Sequence, residues 1–187
     1  KQLLEEGLLD RLCRIRSEGD NLLIPVIKYI EGAVCEEFSC IPSKTVLPRF
    51  EQVGGIAIMQ EDDKIGAEAV LASKKTYHTV LFADSAVEGP FRTKKFRVLA
   101  GIDTTATEYT EYGRHFFIDL SLAYFSARLS VERQRILSMM NEGERVIDMF
   151  AGVGPFAIAL AGKASVVYAC DINPEAVILM VRNIAKN

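Results

Sequence analysis

Asp148-Met149-Phe150-Ala151-Gly152-Val153-Gly154-Pro155, with Asp171-Ile172-Asn173-Pro174 behind it, sets the terms for the rest of the chain. Val146 to Phe150, apolar but for Asp148, reads as a strand, and Pro155 to Ala161 as a helix. Val166 to Cys170 reads as a second strand. Pro174, whose missing N–H costs nothing in a first turn, opens a helix to Ala185. The order β-α-β-α is the opening of a doubly wound parallel sheet. Gly152 and Gly154 fall where strand turns into helix, and glycine there allows a tight turn and a close approach of a ligand to the backbone. Asp171 lies nineteen residues after Gly152, at the tip of the second strand. An acid in that place can accept hydrogen bonds from ribose hydroxyls.

Two ligand classes compete for this loop, beside the plain alternative that the glycines only turn the strand. Gly152-Val153-Gly154-Pro155-Phe156-Ala157 also satisfies the G-x-G-x-x-A form used for dinucleotides. Pro155, however, removes a helix N-terminal N–H that a pyrophosphate would use. Asp148 adds a carboxylate near the mouth, poor for a pyrophosphate and good for the α-amino group of a methionine. The residues favour S-adenosylmethionine, with Asp148, Phe150, Ala151, Gly152, Gly154, Pro155, Asp171 and Ile172 as its contacts.

Upstream the pattern is different. Leu3 to Leu12 has helical leucine spacing, and Leu22 to Val26 reads as a short strand. A strand is expected within Glu51 to Gln60, entered from a loop at Gly54-Gly55, and a helix over Ala67 to Ser73. Three more strands are expected at Tyr77 to Ala83, Phe96 to Gly101 and His115 to Leu120. Strands and one helix without βαβ alternation suggest a small α+β domain. After Leu129, Ser130 can cap a helix to about Met140, with Glu132 in the first turn where the helix dipole favours an acid. The expected plan is an N-terminal segment over residues 1–44, a small α+β domain over 45–120, and the first half of a Rossmann-type class I methyltransferase domain over 121–187. Two parallel strands alone leave faces and edges without partners, so the domain is expected to be truncated and the chain a fragment.

Charge is uneven. The net charge is −3, yet residues 73–97 hold Lys74, Lys75, Arg92, Lys94, Lys95 and Arg97 against Asp84 and Glu88. Such a stretch is either a solvated face or a phosphate-contacting patch. No apolar run approaches membrane-spanning length, and no basic-then-apolar leader is present. The four cysteines, Cys13, Cys35, Cys40 and Cys170, suit neither a zinc knuckle nor a redox pair. A cytoplasmic protein with reduced thiols and no metal is expected.

Taken with the glycine loop, several further segments resemble one family. They are Ser85-Ala86-Val87-Glu88-Gly89-Pro90-Phe91-Arg92, Val98-Leu99-Ala100-Gly101, Glu111-Tyr112-Gly113, Asp119-Leu120-Ser121, Tyr124-Phe125-Ser126-Ala127-Arg128-Leu129 and Glu132-Arg133. The chain is similar over most of its length to the archaeal and eukaryotic tRNA (guanine-N1)-methyltransferases that modify the guanosine 3′ of the anticodon. The resemblance implies a small tRNA-contacting domain ahead of the catalytic one, with the anticodon stem-loop of tRNA as partner and a monomer as the working form. It places Glu132 as general base and Arg92 beside the guanine O6, and it puts Arg128, Arg133, Lys94 and Lys95 on the RNA. Without the resemblance, Glu132 reads as a helix-dipole acid paired with Arg128 or Arg135. Two departures stand out. Ser126-Ala127-Arg128 lacks the proline of the family's Asn-Pro-Arg or Ser-Pro-Arg triplet, which puts the loop geometry at issue. The family's later Asn-x-Pro-type loop has no counterpart before Asn187, so weak cofactor binding and no turnover are expected of this chain alone. Two alternatives stand beside it: an aminocarboxypropyl transferase of the wybutosine pathway using the same donor, as related enzymes imply, and a non-catalytic tRNA-binding module with the basic stretch as its working surface.

Overall fold

The structure is a computed structural model that describes residues 7–10, 13–28, 30–31, 37–38, 46–85 and 89–187. Two compact units divide at Val46/Leu47. In the first, β1 (Arg16–Glu18) and β2 (Asn21–Leu23) form an antiparallel hairpin around Gly19, whose positive φ suits the turn. The expected strand at Leu22 to Val26 is therefore shorter, stopping ahead of Pro25, and Val26 pairs instead with Leu9 as an isolated bridge. The expected helix over Leu3 to Leu12 lies mostly outside the described residues.

The second unit begins with a four-stranded sheet of order β3 (Phe50–Val53), β4 (Ile56–Met59), β5 (Thr79–Ala83), β6 (Phe96–Gly101). Gly54-Gly55, read in the sequence as a loop leading into a strand, instead joins two antiparallel strands. The β4 and β5 strands are parallel and connected through α1 (Lys64–Ser73). The expected absence of βαβ alternation is thus overturned: ten helical residues between two apolar strands supply the crossover that a parallel pair needs. The N-cap of α1 is Asp63, whose Oδ1 accepts from Gly66 N at 3.0 Å. Period-two alternation splits the sheet's side chains between two cores. Ala57, Met59, Val80 and Leu99 pack with Ala67 and Val70 of α1.

The opposite face carries Val53, Ile56 and Leu81 into a second core with Phe116 and Ile118. Those residues belong to a hairpin of β7 (Ala106–Glu111) and β8 (Arg114–Asp119). Its first strand escaped the sequence reading because Ala106-Thr-Glu-Tyr-Thr-Glu111 shows little apolar character. Its turn, Tyr112-Gly113, has positive φ at both residues (48° and 79°), as a type I′ turn requires. The same core continues through Leu120, Ala123 and Phe125 to Val153, Ile158 and Ala176. The glycine loop is therefore mounted on the hairpin by continuous apolar packing.

The helix α2 (Ser130–Met139) follows a 3₁₀ turn over Ala127–Leu129. Ser130 is already helical and Leu129 precedes the helix without a side-chain cap, so Ser130 does not cap it as expected. The turn forms without the family's proline; Ser126 is extended before it (φ −135°, ψ 115°), the conformation a following proline would impose. β9 (Arg145–Asp148) and β10 (Val166–Ala169) pair in parallel around α3 (Pro155–Leu160), and α4 (Pro174–Lys186) packs on β8. This is the expected β-α-β-α unit of a doubly wound sheet, preceded by a mixed α/β layer. Among the described residues, no helix is long and apolar enough to cross a membrane.

Candidate functional site

The loop after β9 is shaped by its two glycines. Gly152 has φ +55° and Gly154 φ +89°, and Gly154 N donates to Ala151 O at 2.8 Å to close the turn. A Cβ at Gly154 would also meet Met180 Cγ at 2.9 Å. Gly154→Ala is expected to cost about 1–2 kcal/mol, the usual penalty for a side chain in left-handed backbone, as a lower urea midpoint with an unchanged m-value.

Asp171 braces the loop from the neighbouring strand tip. Its Oδ2 accepts from Gly152 N at 2.7 Å and its Oδ1 from Asn173 N at 2.9 Å. Asn173 caps α4 by accepting from Glu175 N and donates to Leu122 O at 2.7 Å, which ties in the segment leading to Tyr124. Ionised carboxylate oxygens keep further acceptor capacity beyond these bonds, enough for vicinal hydroxyls.

Asp148 is different. Its Oδ1 accepts from Phe150 N, but Oδ2 is buried with no hydrogen-bond partner among the described atoms. Burial pushes this carboxyl above the usual carboxylate range, opposed in part by the backbone N–H groups of Phe150 and Ala157. A buried, unpartnered anionic oxygen is what an ammonium group would satisfy. Two apolar side chains of the neighbouring loops are open to solvent: Phe150 and Ile172 are 86% and 78% exposed. Carboxylate, glycine turn, strand-tip acid and exposed apolar pair together fit adenosylmethionine.

A cavity of about 290 Å³ at this loop is lined by Gly152, Pro155, Phe156 and Asp171 together with Arg92, Tyr124 and Phe125. Arg92 has φ +54°, a conformation that non-glycine residues rarely adopt, and its guanidinium lies 5.4 Å over the Tyr124 ring. Strain of this kind concentrates at functional sites. Arg92 and Tyr124 also face a second groove of about 270 Å³, where Lys94, Arg128 and Glu51 stand. Arg128 donates to Glu51 at 2.9 Å and is otherwise exposed. Lys95 is exposed, and its backbone joins Ser85 and Asp84.

The basic stretch is weaker than its composition implies. Arg97 reaches Asp62 at 2.9 Å and Asp84 at 3.1 Å, and these carboxylates hold its proton more firmly than usual. The residues left facing the grooves are Arg92 and Lys94.

Two of the expected site residues stand differently. Arg133, expected on the RNA, is 1% exposed and donates through Nε to Glu111 at 2.7 Å, between the rings of Phe125 and Phe156. Its charge is already spent on a carboxylate, so it organises the cavity wall rather than meeting phosphate. Glu132 does not line the cavity; Arg135 binds both its oxygens, at 2.7 and 2.8 Å, and holds the carboxyl below its ordinary range. The Glu111–Arg133 pair joins two segments far apart in sequence, and Tyr109 completes it by donating to Glu111 Oε2. Burial and that carboxylate raise the Tyr109 phenol to about 12. Only the pairing of two charged residues, each next to an apolar strand or helix face, could have signalled this cluster.

Residues 107–187 match the TRM5/TYW2 methyltransferase domain, and residues 1–34 match the tRNA methyltransferase 5 N-terminal domain. The chain belongs to the TRM5/TYW2 methyltransferase family. Trm5b of Pyrococcus abyssi, a tRNA (guanine(37)-N(1))-methyltransferase, is 37% identical over 211 residues, which span 100% of this chain and 64% of the relative. A solved complex of aTrm5 with tRNALeu superimposes with a TM-score of 0.73 at 31% identity, over 98% of this chain and 66% of that one. Methanocaldococcus jannaschii TYW2, solved with AdoMet, superimposes with a TM-score of 0.52 at 27% identity, over 73% of this chain and 51% of that one. The chain thus spans about two thirds of the length of its Trm5 relatives.

Proposed function

We propose that this chain belongs to an S-adenosylmethionine-dependent enzyme that methylates N1 of guanosine 37, beside the anticodon of tRNA. The observation that carries the reading is the cavity in which the glycine loop and Asp171 face Arg92 and Tyr124. Its relatives support it, one named for this reaction and one solved on tRNA. We expect it to act as a monomer on the anticodon stem-loop, in the cytoplasm.

Gly152 and Gly154 would let the cofactor approach the backbone, Asp171 would take the ribose hydroxyls and Asp148 the α-amino group. Phe150, Ala151, Pro155 and Ile172 would border the adenosyl part. The bound cofactor supplies an activated methyl group at a sulfonium. Guanine N1 carries a proton and is a poor nucleophile; losing that proton leaves negative charge shared onto O6. Arg92 would hold O6 through its guanidinium, and Tyr124 would face the extruded base. Glu132 would take the N1 proton, which requires the Arg135 pair to open; Arg135, once released, could meet a phosphate. Lys94, Lys95 and Arg128 would contact the RNA backbone along the second groove.

In the complete enzyme, Glu132→Gln is expected to lower single-turnover methylation of tRNA by about 10²-fold or more, the scale of general-base catalysis. Unchanged rates would remove Glu132 from the mechanism. Transfer of an aminocarboxypropyl group, the chemistry of the TYW2 branch, is the second reading. The match to the Trm5 N-terminal domain and the fuller superposition on Trm5 favour methyl transfer. Product mass separates the two.

A further inference from the structure

One fully buried amide joins the glycine loop to the hairpin beneath it. Asn183, on α4, is 0% exposed. Its Oδ1 accepts from Phe117 N at 2.7 Å, and its Nδ2 donates to Phe117 O at 3.1 Å and to Val153 O at 2.9 Å. The side chain therefore pairs with β8 as a neighbouring strand would, and spends its second proton on the carbonyl between the two left-handed glycines. One helical turn on, Asn187 makes the same pair of bonds to His115, at 2.9 and 2.7 Å. Its second contact goes to Asn183 O, inside the helix, and not to the loop. Two asparagines clamp one strand, but only one of them reaches the glycines.

Val153 is itself fully buried, and Gly152 N is held from the other side by Asp171. The peptides of the loop are thus fixed at one N–H and one C=O by two side chains. Few other side chains can replace the second of them. Aspartate would set oxygen against two carbonyls, leucine would leave three buried groups unsatisfied, and serine could serve one carbonyl at most.

We propose that Asn183 is a positioning residue for the cofactor site: it sets the Val153 peptide, and through it the path of Gly152 to Gly154, in the conformation that binds adenosylmethionine. This rests on the cofactor reading above. By reciprocity, cofactor binding tightens the Asn183 clamp on Phe117.

The test uses the complete enzyme, with S-adenosylhomocysteine as probe and Asn187 as internal control. Calorimetric titration is expected to show Asn183→Ser weakening the probe by about tenfold, one charge-neutral hydrogen bond's worth of pre-organisation, and Asn187→Ser by less than about twofold. Both variants should melt at lower temperature, so melting alone does not discriminate. Equal affinity changes in the two variants, or none, overturn the proposal. A second measurement needs no substitution: on saturating the unaltered complete enzyme with the probe, exchange of the Phe117 amide should slow more than that of His115, and equal slowing overturns it. A complete, unaltered enzyme that does not bind the probe at all defeats the cofactor reading itself, a result distinct from either of these.

Discussion

Arg133→Met is expected to remove about 3–5 kcal/mol of folding stability, because it leaves the Glu111 carboxylate buried without its partner. Glu111 and Arg133 side chains are 5% and 1% exposed, so water cannot take over for either charge. For a chain of this size the loss corresponds to a fall in melting temperature of roughly 10 °C, readable by circular dichroism. Removing both charges together, as Glu111→Leu with Arg133→Met, is expected to restore most of it, since a buried pair and a well-packed apolar pair differ little in net stability. The coupling between the two substitutions, taken from a thermodynamic cycle, measures the interaction directly. Additive losses would show that the pair holds nothing in common. Because the guanidinium also bonds Ser126 O and lies beside Phe125, the double variant of the complete enzyme should be stable yet slower in the proposed methyl transfer: the wall carrying Tyr124 loses its anchor.

Legibility in the sequence followed the strength of the local signal. The strands and helices around Gly152 and Asp171 alternate apolar stretches with glycine and proline at turns, and each forms within two residues of its expected bounds. β7 did not announce itself, because Thr-Glu-Tyr-Thr-Glu carries its few buried groups on a polar background. The parallel β4/β5 pair was hidden for another reason: pairing direction is decided by where the helix between two strands packs, a long-range fact that no short window contains. The site divides the same way. Backbone conformation at the glycines and the bracing by Asp171 follow from residue type and spacing. The pairing of Glu132 with Arg135, one turn along the same helix, is legible in spacing too; the fates of Arg133 and Arg97 are not, because such an ion pair depends on which carboxylate the fold delivers, and Glu111 arrives from twenty-two residues upstream.

Asp148→Asn is expected to raise the stability of the ligand-free protein while weakening its hold on S-adenosylhomocysteine by about 10–100-fold. The two effects have one cause. In the free protein the Asp148 carboxylate is partly desolvated and one oxygen has no partner, so its ionised form opposes folding. A neutral amide relieves that charge, and a gain of about 1 kcal/mol would lift the melting temperature by about 2–4 °C. The sign of the pH dependence follows. The folded carboxyl titrates above its unfolded counterpart, so its unfavourable contribution is absent below the ordinary carboxylate range. It grows as pH rises from the unfolded pKa to the raised folded one, and is constant beyond it. The protein with Asp148 should therefore lose stability across that window relative to the asparagine variant, with the curves parallel above it. Once an α-ammonium group occupies the site, the same charge becomes an attraction, and losing a hydrogen bond to a charged group is worth the stated factor in affinity. Titration calorimetry and melting on one pair of proteins thus test opposite signs. A variant that binds the probe as well as the parent would place the ammonium group elsewhere. One that is no more stable would show that the buried oxygen is satisfied by solvent, and a carboxylate already at ease has no need of a cofactor's positive charge.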